Sequence, residues 1–259
     1  MQNKMVNKGL ILVIVFLLIG VGIIPGIAGE INLYGNRKNM VSVNTENLSV
    51  KAWHKNSSHN FLISKLQFFL PPYNCSGGKN SGWNTGLRSY YNSYWNARHK
   101  TGYLHTDVET RATGALSEAQ ANASAWIIGP KEGKFKPEIS GKHYLVMIFM
   151  LNGEAETTST GGGDATSFIY IDGCLYNFDT NELIGSSTRI LYLGIKEYKF
   201  WTFRLFLIAF PVNISSSNYY YFKSRLYAEH SAEGKLIGGS AESSSGLTAR
   251  LCMVLLFVP

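Results

Sequence analysis

The chain has few of the residue types that impose a special architecture. Its 259 residues include only three cysteines and seven prolines, and charged residues make up 16% of the total. Three cysteines allow one intramolecular disulfide at most, which excludes a disulfide-stabilised scaffold. Because no Cys-x-x-Cys pair and no Cys/His zinc spacing occurs, the sequence predicts no metal site.

The local motifs that mark common enzyme classes are also missing. The chain has no Gly-x-Ser-x-Gly, no His-Glu-x-x-His and no Gly-rich phosphate loop, so we predict no catalytic residue and no cofactor. A catalytic triad can be assembled from distant residues without a local motif. The sequence therefore leaves open whether the protein is an enzyme, with a non-enzymatic role favoured.

Positive charge is scattered rather than clustered. The formal net charge is +7, and cations such as Lys131, Lys134 and Lys136 alternate with Glu132 and Glu138. A protein that binds nucleic acid concentrates its cations on one surface to neutralise phosphates. We therefore predict no nucleic-acid partner.

The N-terminus has the pattern of a secretory signal. Lys4 and Lys8 precede an apolar run from residue 10 to 24, which is followed by Pro25 and the small residues Gly26 and Ala28. This order predicts a signal peptide over residues 1–28 and a secreted or cell-surface protein. The alternative is an uncleaved anchor, since residues 10–28 approach the about 20 residues that cross a bilayer. We expect membrane contact only through this segment.

Residues 30–101 form an N-terminal extension in this interpretation. Its second part, residues 73–101, is dense in Gly, Asn, Ser and aromatic residues. Glycine supplies turn geometry and aromatic rings can anchor a loop to the protein body, so the composition predicts a long ordered loop.

From residue 102 the sequence favours β-structure. Between residues 115 and 125 five odd positions carry alanine (115, 119, 121, 123 and 125), and positions 118, 120, 122 and 124 are polar, which is the period of a half-buried strand. An alanine-rich segment can also form a helix, which is the alternative here. Further strands are predicted at 143–151, 166–177, 189–212 (two strands broken near Lys196 and Glu197), 219–230 and 247–258. Turn signals separate them, among them Asn152-Gly153 and residues 185–187. The pattern predicts an all-β, jelly-roll-like β-sandwich over residues 102–259.

The aromatic loop is the candidate binding surface. We select Trp83, Tyr91, Tyr94 and Trp95 as ligand-binding residues, because large flat rings stack on sugars and anchor protein interfaces. The alternative is that these rings pack onto the sandwich and hold the loop in place, since most rings of a globular protein are buried.

Two kinds of covalent modification are expected of an exported chain. Five Asn-x-Ser/Thr sequons occur, and Asn47, Asn56 and Asn74 are the favoured glycosylation sites because they lie in loop-like sequence. A disulfide between Cys174 and Cys252 is predicted if those thiols meet, and two free thiols are the equal alternative.

These observations predict an exported binding or structural module that recognises a glycan or a protein partner. One alternative is a secreted carbohydrate-active hydrolase with paired carboxylates, for example among Asp107, Glu109 and Asp172. Another is a structural envelope protein held by an uncleaved N-terminal helix.

Overall fold

The computed structural model describes residues 66–195, 197–235 and 238–258. The predicted signal peptide and the sequons at Asn47 and Asn56 lie outside these residues. Within the described part of the chain, no helix is long and apolar enough to cross a membrane. The strands in chain order are β1 (Leu66–Phe69), β2 (Cys75–Thr85), β3 (Ser89–Arg98), β4 (Tyr103–Thr113), β5 (Ser117–Gly129), β6 (Gly141–Thr160), β7 (Asp164–Asn177), β8 (Leu183–Gly194), β9 (Tyr198–Ile214), β10 (Tyr220–Gly234) and β11 (Ser240–Phe257).

The strands form two antiparallel sheets. The six-stranded sheet has the order β3-β4-β11-β6-β9, with β1 also paired to β11, and the five-stranded sheet has the order β2-β5-β10-β7-β8. From β4 onward the chain alternates between the sheets, except that β7 and β8 are neighbours in one sheet. This alternation is the jelly-roll arrangement, so the predicted all-β sandwich is confirmed.

The core lies between the inward faces of the two sheets. Ala119, Ala121, Ala123 and Ala125 on β5 are fully buried, as the period-two pattern predicts. Ala121, Ala123 and Ala125 belong to a large apolar cluster that includes Phe149 on β6 and several long aliphatic side chains. Burying each large apolar side chain contributes roughly 1.5–3 kcal/mol, which makes this layer the main source of stability.

The predicted loop over residues 73–101 is wrong. Residues 75–85 form β2 at the edge of the five-stranded sheet, and residues 89–98 form β3 at the edge of the six-stranded sheet. The sandwich therefore begins upstream of residue 102. Asparagine side chains link the two edges, because Asn80 Nδ2 donates to the Ser93 carbonyl at 2.6 Å and Asn84 Nδ2 to the Ser89 carbonyl at 3.0 Å.

Several predicted strand ends are corrected as well. The Asn152-Gly153 break is a bulge inside the 20-residue strand β6, and residues 185–187 lie within β8. The predicted break near Glu197 separates β8 from β9 and is confirmed. β11 starts at Ser240, earlier than predicted, because Ser243 and Ser245 point into the interior and find partners there.

Candidate ligand-binding face

The structure places the four selected rings on different surfaces. Tyr91 and Trp95 lie on the inward side of β3, where Trp95 packs against the core cluster. Their rings occupy the space above two glycines of β2: a Cβ added to Gly82 would lie 2.4 Å from Tyr91, and one added to Gly78 would lie 2.1 Å from Trp95. These two rings close the open edge of the sandwich.

Trp83 and Tyr94 point outward from opposite sheets. Trp83 is 42% exposed on the five-stranded sheet, and its Nε1 donates to Gln120 Oε1 at 3.1 Å. Tyr94 is 50% exposed on the six-stranded sheet, with its ring 6.1 Å from the ring of His105. The four rings therefore do not form one binding surface.

A larger set of rings lies on the outer face of the five-stranded sheet. Strands β5, β7 and β10 are neighbours there, and their outward positions carry six aromatic side chains, each of them partly buried. We call this set the aromatic face, and it consists of Trp126, Phe168, Tyr170, Tyr176, Tyr221 and Tyr227.

The rings of the aromatic face pack against each other in pairs. Tyr176 and Tyr221 are stacked with centroids 5.0 Å apart and an angle of 11° between their planes. Tyr170 and Tyr227 have centroids 4.9 Å apart with a 31° angle. Each pair is a cross-strand neighbour pair between β7 and β10, so the sheet register itself builds these platforms.

An ion pair lies between the ring pairs. Arg225 donates to Asp172 Oδ2 through Nε at 3.0 Å and through Nη2 at 2.5 Å. The guanidinium lies over the ring of Tyr170, 5.3 Å from its centroid. Burial raises the pKa of Asp172, and the hydrogen bonds and charge of Arg225 oppose that increase. The charged pair is thus held in a fixed orientation beside the rings.

A second set of hydrogen-bonded side chains connects β10 through β5 to β2. Gln120 accepts from Trp83 through Oε1, and its Nε2 donates to Glu229 Oε1 at 2.8 Å. The Tyr227 hydroxyl donates to Glu229 Oε2 at 2.8 Å. Burial and the hydrogen bond to Glu229 raise the pKa of Tyr227. At neutral pH this phenol remains a hydrogen-bond donor.

Sequence reasoning missed all six members of this face because it looked for a contiguous aromatic segment. A signal was present in the strands themselves. On β10, Tyr221 and Tyr227 alternate with the buried Phe222 and Leu226, and β7 has the same alternation. Residues two apart in a strand share one side, so aromatic residues at the positions between the core residues of neighbouring strands form one outer face.

Of the acids considered for a hydrolase, Asp172 is not brought together with the other two. Asp107 and Glu109 lie on the outer side of β4 in the six-stranded sheet, whereas Asp172 lies on the outer side of the other sheet. Asp172 pairs with Arg225, and Glu109 pairs with Arg111 at 2.8 Å. A carboxylate pair for glycoside hydrolysis needs both groups within about 10 Å on one surface. Asp172 does not satisfy this condition with either Asp107 or Glu109, whereas Asp107 and Glu109 are two residues apart on one side of β4.

The predicted Cys174–Cys252 disulfide is not formed. Both thiols are free, as is Cys75. Cys174 lies on the outer side of β7 and Cys252 lies at the bulge of β11, in opposite sheets. The core between the sheets separates the two residues by far more than a disulfide spans.

The remaining features are minor. Asn74 is exposed immediately before β2, which leaves its side chain accessible.

A cavity of about 10 Å³ lies at another part of the sandwich, lined by residues that include Gln67, Ile139 and His143. It has room for about one water molecule.

Comparisons with known proteins add little at the sequence level. No protein-family model matches the chain. No curated protein matches it either.

Several solved structures match the chain at low scores. A carbohydrate-binding module of lichenase 5A from Cellvibrio mixtus, in complex with cellotriose, is 11% identical with a TM-score of 0.26, and the match covers 72% of this chain and 97% of the module. A CBM4 structure is 10% identical with a TM-score of 0.24, covering 76% and 90%. A Stig cyclase from Fischerella sp. TAU is 10% identical with a TM-score of 0.22, covering 61% and 90%. Since these scores are low, the sandwich assignment rests on the strand order of the chain itself.

Proposed function

We propose that this protein is an exported β-sandwich module that binds a glycan on the aromatic face. The observation that carries the proposal is the presence of six partly buried rings on one outer sheet face, next to oriented polar side chains. Rings offer apolar surfaces to the C–H faces of a sugar, and side chains of fixed orientation bond to its hydroxyls.

The polar side chains suit hydroxyl recognition. Asp172, Gln120 and Glu229 offer acceptors, and Arg225 offers donors, all within the strands that carry the rings. Their mutual hydrogen bonds reduce the entropy lost when a ligand binds.

The size of the face favours a chain of sugars over a single one. The outward positions of β10 from Tyr221 to Glu229 span about 27 Å at the rise of an antiparallel strand. An extended oligosaccharide lying along β10 could contact both ring pairs at once.

The proposed location is outside the cytoplasmic membrane. It rests on the predicted signal peptide over residues 1–28 and on the sequons, of which Asn74 is exposed. Intact mass of the exported protein tests this part, because cleavage after Ala28 removes 28 residues and a retained anchor leaves the full mass.

Binding is tested by isothermal titration calorimetry with a panel of neutral and acidic oligosaccharides. The panel includes cellotriose, which is present in the complex of the lichenase 5A module, and xylohexaose. The test variant is Tyr170→Ala with Tyr227→Ala. The matched control is Tyr90→Ala with Tyr94→Ala, which removes two exposed tyrosines from the other sheet.

We expect at least a tenfold loss of affinity in the test variant and wild-type affinity in the control. Melting temperatures establish that both variants fold. Equal losses in the two variants would contradict the assignment to the aromatic face. Absence of binding across the panel, with a protein ligand captured through the same tyrosines, would favour a protein partner over a glycan.

A further inference from the structure

A row of exposed aliphatic side chains lies beside the aromatic face, on the edge strand β8 of the same sheet. Leu183, Ile190 and Leu193 are between 50% and 68% exposed. Tyr192, between the last two, belongs to the core cluster and marks the inward side of the strand. We call the three exposed residues the aliphatic row.

The strand register places the aliphatic row directly against the rings of β7. Each member of the row is the cross-strand neighbour of an outward ring: Leu183 of Tyr176, Ile190 of Tyr170 and Leu193 of Phe168. Where β7 carries Asp172 instead of a ring, its neighbour on β8 is Thr188. Apolar and polar positions therefore follow the same order on the two strands, and the row is continuous with the aromatic face.

The two flanks of the Tyr170–Tyr227 ring pair differ in chemistry. On the β5 side, the cross-strand neighbour of Tyr227 is Ser124, and Asn122 lies two residues along. On the β8 side, the neighbour of Tyr170 is Ile190. A sugar stacked on this ring pair thus has hydrogen-bonding side chains along one edge and aliphatic side chains along the other.

The aliphatic row suits a substituent of the sugar better than the sugar itself. Neighbouring strands are about 4.8 Å apart, so β8 lies about 7 Å from the line midway between β7 and β10. A sugar ring on that line covers the tyrosines, and a short acyl group on one of its oxygens extends toward β8. A bare hydroxyl in that direction would lose water without gaining a hydrogen bond, whereas the carbon of an acyl group gains from leaving water.

We propose that the glycan bound by the aromatic face is O-acylated and that its acyl groups pack on Leu183, Ile190 and Leu193. This inference rests on the proposed glycan-binding function and names the class of glycan. The ring pairs and the polar side chains bind the sugar units, and the aliphatic row distinguishes an acylated chain from an unmodified one. Three positions spread along β8 match substituents that recur along an oligosaccharide.

The test measures affinity by calorimetry for each oligosaccharide of the panel in two forms, partially O-acetylated and de-esterified by mild alkali. The test variant is Ile190→Thr with Leu193→Thr, which removes apolar carbon and keeps residues that favour a strand. The matched control is Leu87→Thr with Leu116→Thr, two leucines in turns that are 104% and 90% exposed. Circular dichroism and melting temperatures establish that both variants fold, and light scattering gives their mass.

We expect the wild type and the control to bind an acetylated oligosaccharide at least tenfold more tightly than its de-esterified form. The test variant should bind both forms with the wild-type affinity for the de-esterified one. Equal affinity of the wild type for the two forms would overturn this inference and leave glycan binding intact. Absence of binding to either form of every sugar would overturn both. A wild-type dimer that the test variant abolishes would assign the row to a second copy and overturn the inference.

Discussion

The indole rings of Trp95 and Trp126 lie nearly parallel on the two sides of β2, with centroids 6.4 Å apart and 17° between their planes. The Gly77-Gly78 segment of β2 lies between them. A Cβ on Gly77 would be 2.8 Å from Trp126, and a Cβ on Gly78 would be 2.1 Å from Trp95. Because glycine has no side chain, these two positions let the indole rings pack directly on the backbone of β2.

Gly78→Ala should destabilise the protein by about 1–3 kcal/mol, because the new methyl meets both the Trp95 ring and the Ser124 carbonyl oxygen at 2.5 Å. The control is Gly246→Ala, where no atom lies within 4 Å of the added Cβ. That change should be neutral or stabilise by up to about 1 kcal/mol. Urea unfolding measures both, and equal effects of the two substitutions would show that β2 is not enclosed by indoles.

Trp95→Ala should lower the free energy of unfolding by about 2–4 kcal/mol, because the ring packs on the core cluster. Trp83→Ala removes a ring that is 42% exposed on the outer face, and we expect a change below about 1 kcal/mol. Chemical unfolding of the two variants gives the comparison. If Trp83→Ala lowered the free energy of unfolding more than Trp95→Ala, the assignment of Trp95 to the core and of Trp83 to the surface would be contradicted.

Stability should fall in acid because of His230. This side chain is fully buried, and its ring bonds to Ser243 Oγ at 2.5 Å and Ser245 Oγ at 2.7 Å, which joins β10 to β11 across the interior. Burial lowers the pKa of His230 from 6.5 to about 3. The unfolded chain therefore binds one more proton between these values. The contribution of the neutral His230 ring to the free energy of unfolding is complete above pH 6.5. It is lost as the pH falls toward 3, at up to about 1.4 kcal/mol per pH unit.

The pH effect is measured by urea unfolding of the wild type and His230→Gln from pH 7.5 to 3.5. Carboxylates contribute to acid unfolding in both proteins, so the difference between the two curves isolates the histidine. We expect that difference to shrink as the pH falls below 6.5. Parallel curves would mean that His230 titrates normally in the folded protein.

Thiol chemistry distinguishes the three cysteines. Denatured, unreduced protein should give three thiols with Ellman's reagent, since all three are free. In the native protein Cys75 should react first, because it is exposed, whereas burial raises the pKa of Cys174 and Cys252 and lowers their thiolate fraction. A count of one thiol after denaturation would show that two of the cysteines form a disulfide, in agreement with the sequence-based prediction.

Local sequence pattern was sufficient for much of the fold. The alternation at Ala119, Ala121, Ala123 and Ala125 identifies both the strand and its buried side, because side-chain direction in a strand depends only on the position along it. The same reasoning located the break between β8 and β9. It failed at Gly77-Gly78, where glycines typical of turns occur in a strand because two distant indoles require the space.

The sequence by itself determined that residues from 102 onward form β-strands, which side of β5 is buried and that the N-terminus has the pattern of a secretory signal. Only the tertiary structure decided which strands are neighbours. Tyr170 and Tyr227 are far apart in the chain and become a ring pair because β7 and β10 share a ladder. Trp83 and Tyr94 are close in the chain and lie on opposite sheets. Strand pairing is a non-local choice made by the packing of the whole core, so a face that spans several strands exists only after folding.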